Sequence, residues 1–100
     1  MKLSIISPYP KAVYAKNAEI YKILAHPTRL EIMNIIRNKE VCVDQLAQLV
    51  GIRKSNVSQH LSILRHLKVV QTRRKNHNTL YKLVDPRIVE PCQVLRKLWQ

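Results

Sequence analysis

Acidic side chains are scarce. The 100 residues hold six Asp and Glu against 18 Lys and Arg, which leaves a formal net charge of +12. Glycine is nearly absent, and a lone Gly51 excludes a Gly-rich phosphate loop. Two cysteines are too few for a secreted disulfide framework and fit a reduced, cytoplasmic setting. No apolar run approaches the roughly 18 residues of a membrane span, so no membrane partner is expected. The start, Met1 to Ser7, carries one Lys and a very short apolar stretch before Pro8 and Pro10 interrupt it, unlike a signal peptide. The parts of an active site are missing too. No Ser/His/Asp order, carboxylate pair or zinc tetrad can be assembled, and an enzyme is not expected. What is present is 46% apolar residues, enough for one globular domain. A domain this small buries only part of its apolar surface alone, which favours a dimer.

The charge is unevenly placed. The acids are Glu19, Glu31, Glu40, Asp44, Asp85 and Glu90, so none lies between Asp44 and Asp85. That window holds Arg53, Lys54, Arg65, Lys68, Arg73, Arg74, Lys75 and Lys82. A solvated basic face is the plain reading. A surface that attracts polyanions is the sharper one, because each neutralised phosphate releases condensed counterions.

Hydrophobic periodicity predicts helices, a hairpin and a last helix. Residues 1–10 read as an extended, Pro-punctuated arm, and residues 11–100 as the domain proper. Tyr14, Ala18, Tyr21 and Ala25 fall on one face of a first helix, which ends at His26-Pro27. Pro27 suits the first turn of a second helix, expected to run to about Asn38. A third helix holds Leu46, Ala47, Leu49 and Val50 and stops at Gly51. Ser55 is expected to cap a fourth, whose apolar face is Val57, Leu61 and Leu64. The period then drops to two on either side of Lys75-Asn76-His77-Asn78, the pattern of a β-hairpin with Asn supplying the positive φ. Asp85-Pro86 opens a closing helix with Ile88, Cys92, Leu95 and Trp99 as its stripe, kinked or restarted at Pro91.

This order is mainly α with a two-stranded β-hairpin, ααααββα, the layout of a winged helix-turn-helix. The third helix, through Leu46 and Leu49, is expected to brace the fourth. The fourth then offers Lys54, Ser55, Asn56, Ser58, Gln59 and Ser62 to a major groove wide enough for one helix. Asn56 and Gln59 suit adenine edges, and Ser58 suits either base. Arg53, Lys54 and the helix N-terminus suit phosphate, and Arg73, Arg74, Lys75 and His77 on the hairpin suit the backbone or a minor groove. Polar residues face outwards on any surface helix. Here, however, the acid-free window coincides with both the helix pair and the hairpin, which points to double-stranded DNA.

Three ordered motifs within residues 18–84 resemble one family. Leu24-Ala25-His26-Pro27-Thr28-Arg29-Leu30-Glu31-Ile32-Met33 resembles the entry signature of the ArsR/SmtB repressors. Ser58-Gln59-His60-Leu61-Ser62-Ile63-Leu64-Arg65 resembles their recognition helix, and Arg73-Arg74 followed by Tyr81-Lys82-Leu83 their wing. The resemblance implies a homodimer joined by its first and last helices, a two-fold operator, and derepression by an effector. The wing tip here lacks the family's usual Gly, and His66-Leu67-Lys68-Val69-Val70 replaces its common Ala-Gly-Leu-Val. Tyr14, Tyr21, Ile88, Leu95 and Trp99 exceed what a small core covers and are the candidate dimer surface.

Cys42 stands at the N-cap of the third helix with Gln45 at N3, where the helix dipole favours thiolate. The segment resembles the family's arsenic- and cadmium-sensor motif, which has a second Cys where Asp44 stands. Cys42 and Asp44 are candidate ligands of a thiophilic metal ion, although no cofactor is required. The last 16 residues contain no His, unlike the family's zinc/nickel site. Cys92 reads either as a small hydrophobe or as a partner of Cys42 in a sensor dithiol that answers a metal, a metalloid or an oxidant. His26 and His60 read as structural hydrogen-bond partners and His66 as solvated. Two functions stay open: an operator-specific repressor, or a sequence-tolerant winged-helix nucleic-acid binder with no sensor site.

Overall fold

The computed structural model describes residues 4–100. Met1 to Leu3, part of the expected arm, lie outside the described residues. Ser4 to Pro10 is exposed and non-helical, and the Tyr14 hydroxyl holds it against the first helix. That hydroxyl is 2.8 Å from Ser7 Oγ and accepts the Tyr9 N–H at 3.3 Å.

Helix α1 spans Lys11–Leu24 and α2 Pro27–Ile35. His26 caps α2 by accepting the Thr28 N–H on Nδ1 at 3.1 Å, and Pro27 fills the first turn. The helix ends before the expected Asn38. Ile36 leaves the spiral so that its carbonyl can accept the Leu83 N–H at 3.1 Å, which joins α2 to the sheet.

Strand β1, Val41–Cys42, leads directly into α3, Val43–Val50. Cys42 is the N-cap, and Gln45 Oε1 accepts its N–H at 3.1 Å, as the capping-box spacing predicts. Gly51 closes α3 at φ +78°, the left-handed region. The inward row of α3 is Val43, Leu46, Ala47 and Val50. Leu49 lies beside that row and is 63% exposed, so Leu46 braces α4 and Leu49 does not.

Helix α4, Lys54–His66, begins earlier than expected. The turn from Gly51 is so short that Arg53 is already the N-cap, its carbonyl taking the Asn56 and Val57 N–H groups, and Ser55 sits inside the first turn. At the far end Lys68 adopts φ +64°, and the Lys68 and Val69 N–H groups return to Arg65 and Leu64. This is a helix stop usually built on glycine.

Strands β2, Val70–Lys75, and β3, Asn78–Leu83, form the hairpin. Asn76 and His77 both take positive φ at the tip, as a two-residue turn requires. The sheet has one strand more than the hairpin, because β1 pairs with β3 through Val41↔Tyr81 and Cys42↔Leu80. A two-residue strand is too short to show a period.

Asp85 caps a 3₁₀ turn, Pro86–Val89, and α5 restarts over Glu90–Trp99 with Pro91 in its first turn. The core gathers Ile32, Met33, Ile36, Leu46, Val57, Leu61, Leu64, Leu83 and Val89. Neither α1 nor α5 has a buried residue. The radius of gyration, 16.5 Å, exceeds the roughly 13 Å of a compact chain of this length.

Candidate nucleic-acid interface

Two opposed rows make α4 a presenting helix. Val57, Leu61 and Leu64, spaced four and three apart, are fully buried against α3 and the sheet. The same spacing places Ser55, Ser58, Gln59 and Ser62 on the outward face, with Asn56 beside them, and all are exposed. Arg53 and Lys54 are exposed at its N-terminus. Lys54 Nζ lies 3.2 Å from Asp44 Oδ1 across the turn, in an ion pair open to solvent.

The wing follows the same logic in strand geometry. Arg73, Arg74, Lys75 and His77 are all exposed. Arg74 donates to Thr79 Oγ1 at 3.2 Å, a directly opposed pair. Arg73 is engaged differently. Its Nε and Nη2 donate to both Glu40 oxygens at 2.7 and 2.9 Å, a fork-to-fork ion pair. That bond is the main reason the Glu40 carboxyl titrates below its ordinary value, with Lys82 and Lys75 adding to it, and the Arg73 pKa rises for the same reason. Charge counting alone does not expose this pairing, because 33 residues separate the partners.

One more link escapes the sequence. Arg29 Nε donates to His60 Nδ1 at 3.1 Å, and Arg29 Nη1 donates to the Ile23 carbonyl at 2.8 Å. The His26 and His60 rings lie 4.9 Å apart, tilted by 54°. His26 and His60 are thus structural hydrogen-bond partners, while His66 and His77 face solvent.

The sensor candidates are not drawn together. Cys42 and Cys92 are free and half-buried. Cys42 lies opposite Leu80 in the sheet, whereas Cys92 on α5 has its sulfur 3.5 Å from Asn34 Nδ2. Asp44 is turned to Lys54. Among the described residues no three His, Cys, Asp or Glu side chains gather in a metal-binding group.

The candidate dimer surface is largely open. Tyr21, Leu95 and Trp99 are exposed, as are Val94 and Leu98, which the sequence reading did not single out. Tyr14 is 43% exposed, and Ile88 packs partly against the core. Tyr21, Leu24, Met33, Ile88 and Leu95 line an apolar cleft of about 230 Å³. No helix among the described residues is long and apolar enough to cross a membrane.

A braced helix with an open polar face, entered by a tight turn and followed by a basic hairpin, defines a winged helix-turn-helix, a DNA-binding class. Residues 26–72 match the model of the arsR family of bacterial regulatory proteins. Over 87 residues the chain is 37% identical to the HTH-type transcriptional regulator Rv0081 of Mycobacterium tuberculosis, spanning 86% of this chain and 76% of that one. The crystal structure of Rv0081 matches with a TM-score of 0.74 at 35% identity, over 93% of this chain and 90% of that one. NolR of Sinorhizobium fredii matches at 0.79 and 29% identity, over 97% of each. The homodimeric winged helix-turn-helix domain of Mb0332 from Mycobacterium bovis shares the fold, at 0.76 and 23% identity over 95% of this chain and 91% of that one. The chain belongs to the ArsR family of transcriptional regulators, which are not enzymes.

Proposed function

We propose that this regulator is a homodimeric repressor that grips a two-fold DNA operator with two copies of α4. The observation that carries the reading is the open polar face of α4 beside a basic wing, within a stretch free of acids. In this reading Gln59 and Asn56 bond adenine edges and Ser58 either base. Arg53, Lys54, Arg74, Lys75 and His77 hold the phosphate backbone, while Ser55 and Ser62 flank the contact. Arg73, occupied by Glu40, anchors the wing.

Dimerisation is supported by the apolar surface that α1 and α5 leave open and by the homodimeric state of Mb0332. The domain is residues 11–100, preceded by the arm. The half-sites would lie about 34 Å apart. Release by a thiol-reactive metal, metalloid or oxidant would act through Cys42 at the N-cap of α3, or through Cys92 on α5.

Selection of duplexes from a random-sequence pool, with sedimentation of the complexes, tests the reading. A palindrome preferred at least about 10³-fold over bulk DNA by a dimer supports it. Binding without preference makes the chain a sequence-tolerant binder instead. Gln59→Ala should cost about 1–3 kcal/mol at one base step. Cys42→Ser and Cys92→Ser should each be compared for release by cadmium, arsenite and peroxide, and release unchanged in both removes the thiol trigger.

A further inference from the structure

Arg29 ties the recognition helix to the α1–α2 corner, where the His26 ring also lies 4.9 Å from that of His60. Arg29 reaches in two directions from the first turn of α2, to the Ile23 carbonyl at the end of α1 and to His60 Nδ1 on α4, at 2.8 and 3.1 Å. Arginine only donates, so Nδ1 of His60 must carry a lone pair, and the ring is the neutral tautomer protonated on Nε2. His60 directly follows Gln59, and a displacement of one backbone position displaces the other. We propose that Arg29 and His60 are positioning residues for DNA binding: they form a strut that sets α4 against α1, and the strut exists only while His60 is neutral. This rests on the reading of α4 as the DNA-reading helix.

Protonation of His60 would set one donor against another and place a cation beside the Arg29 guanidinium. Burial holds the His60 pKa below the ordinary 6.5, and Arg29 from α2 and His26 from the corner push the same way. The folded value is depressed, so the contribution of the neutral ring is complete above pH 6.5 and is lost as pH falls through the lower folded value. In the folded protein the strut itself is lost only as pH falls through that lower folded value, and DNA binding weakens there. His66 and His77 are exposed on α4 and at the wing tip, so both are replaced in the test.

The test uses the full chain with His66→Gln and His77→Gln as background, and a duplex recovered by the wild-type protein from a random pool. Affinity is read by fluorescence anisotropy from pH 7.5 to 5.5 at fixed ionic strength. The background protein should lose affinity as the pH falls below 6.5. His60→Asn places an amide oxygen near the position of Nδ1 and does not titrate, so it should bind comparably at pH 7.5 and stay flat. Arg29→Lys keeps the charge but not the two-way reach, and it should bind weakly throughout. An acid loss that survives His60→Asn, or an Arg29→Lys variant that behaves like the background, overturns the strut. If Arg29→Lys does not fold, His60→Asn decides alone. Should no duplex be recovered, the DNA reading fails, and ¹⁵N shifts of the His60 ring judge the strut separately. A ring protonated on Nε2 that titrates below 6.5 supports it, and a ring protonated on Nδ1 overturns it.

Discussion

Of the basic side chains on the wing, Arg73 is the one whose charge is already spoken for. Both of its donating nitrogens face the Glu40 carboxylate. If that fork holds on DNA, Arg73 adds nothing to the phosphate count, whereas Arg74 adds one contact per subunit. Each contact contributes about 0.9 to the slope of log affinity against log salt, so Arg74→Ala should lower the slope of a dimer by about 1.8. Between 50 and 200 mM salt that is about 12-fold less loss of affinity than in wild type. The charge-neutral pair Arg73→Ala with Glu40→Gln should leave the slope unchanged. Glu40→Gln alone frees the guanidinium and should raise the slope by up to about 1.8. Anisotropy titrations with a selected duplex in a potassium chloride series measure all three. A double variant that loses as much slope as Arg74→Ala would refute the reasoning, because Arg73 must then abandon Glu40 for a phosphate.

Other outcomes follow from packing and backbone. Leu61→Ala removes a fully buried side chain and should cost about 2–5 kcal/mol in urea unfolding, whereas Leu49→Ala should stay within about 0.5 kcal/mol. Gly51→Ala meets no atom within 4 Å, so its cost is the left-handed backbone alone, about 1–2 kcal/mol in the same assay. Lys68→Gly at φ +64° should shift stability in the opposite direction, and a loss there would contradict the backbone argument. Asp85 accepts from the Arg87 side chain and N–H, which lowers its pKa from 3.8 to about 2. Its stabilisation should be complete above 3.8 and vanish as pH falls through about 2, and a carboxyl ¹³C titration with a midpoint near 3.8 would exclude it.

Signals confined to one turn or one helix were legible in the sequence. Pro27, the Cys42–Gln45 cap, Gly51, the Val57–Leu61–Leu64 row and Asp85-Pro86 each act within about four residues, and each stands where its chemistry placed it. The polar face of α4 followed, because a helix with one buried row has only one other side to show. Features that depend on distant partners were not legible. Ile36 leaves α2 early for Leu83, β1 exists only because β3 lies beside it, and Arg73 finds Glu40 across the sheet. Arg29 and His60 sit inside two separate motifs, and nothing in either motif says that they touch. Even the start of α4 was misplaced. Serine is a better cap than arginine by chemistry, but the short turn after Gly51 leaves no room to wait for Ser55.

Neither end helix fully buries a residue in a solitary copy, and in the proposed dimer this makes survival of the molecule a question of dose. Mass action would protect the polypeptide where it is plentiful and leave rare copies half-dressed, open to proteolysis. A cell that let its stock of this regulator run low would then lose it faster than dilution alone predicts, and control of its genes would lapse as a step rather than a fade.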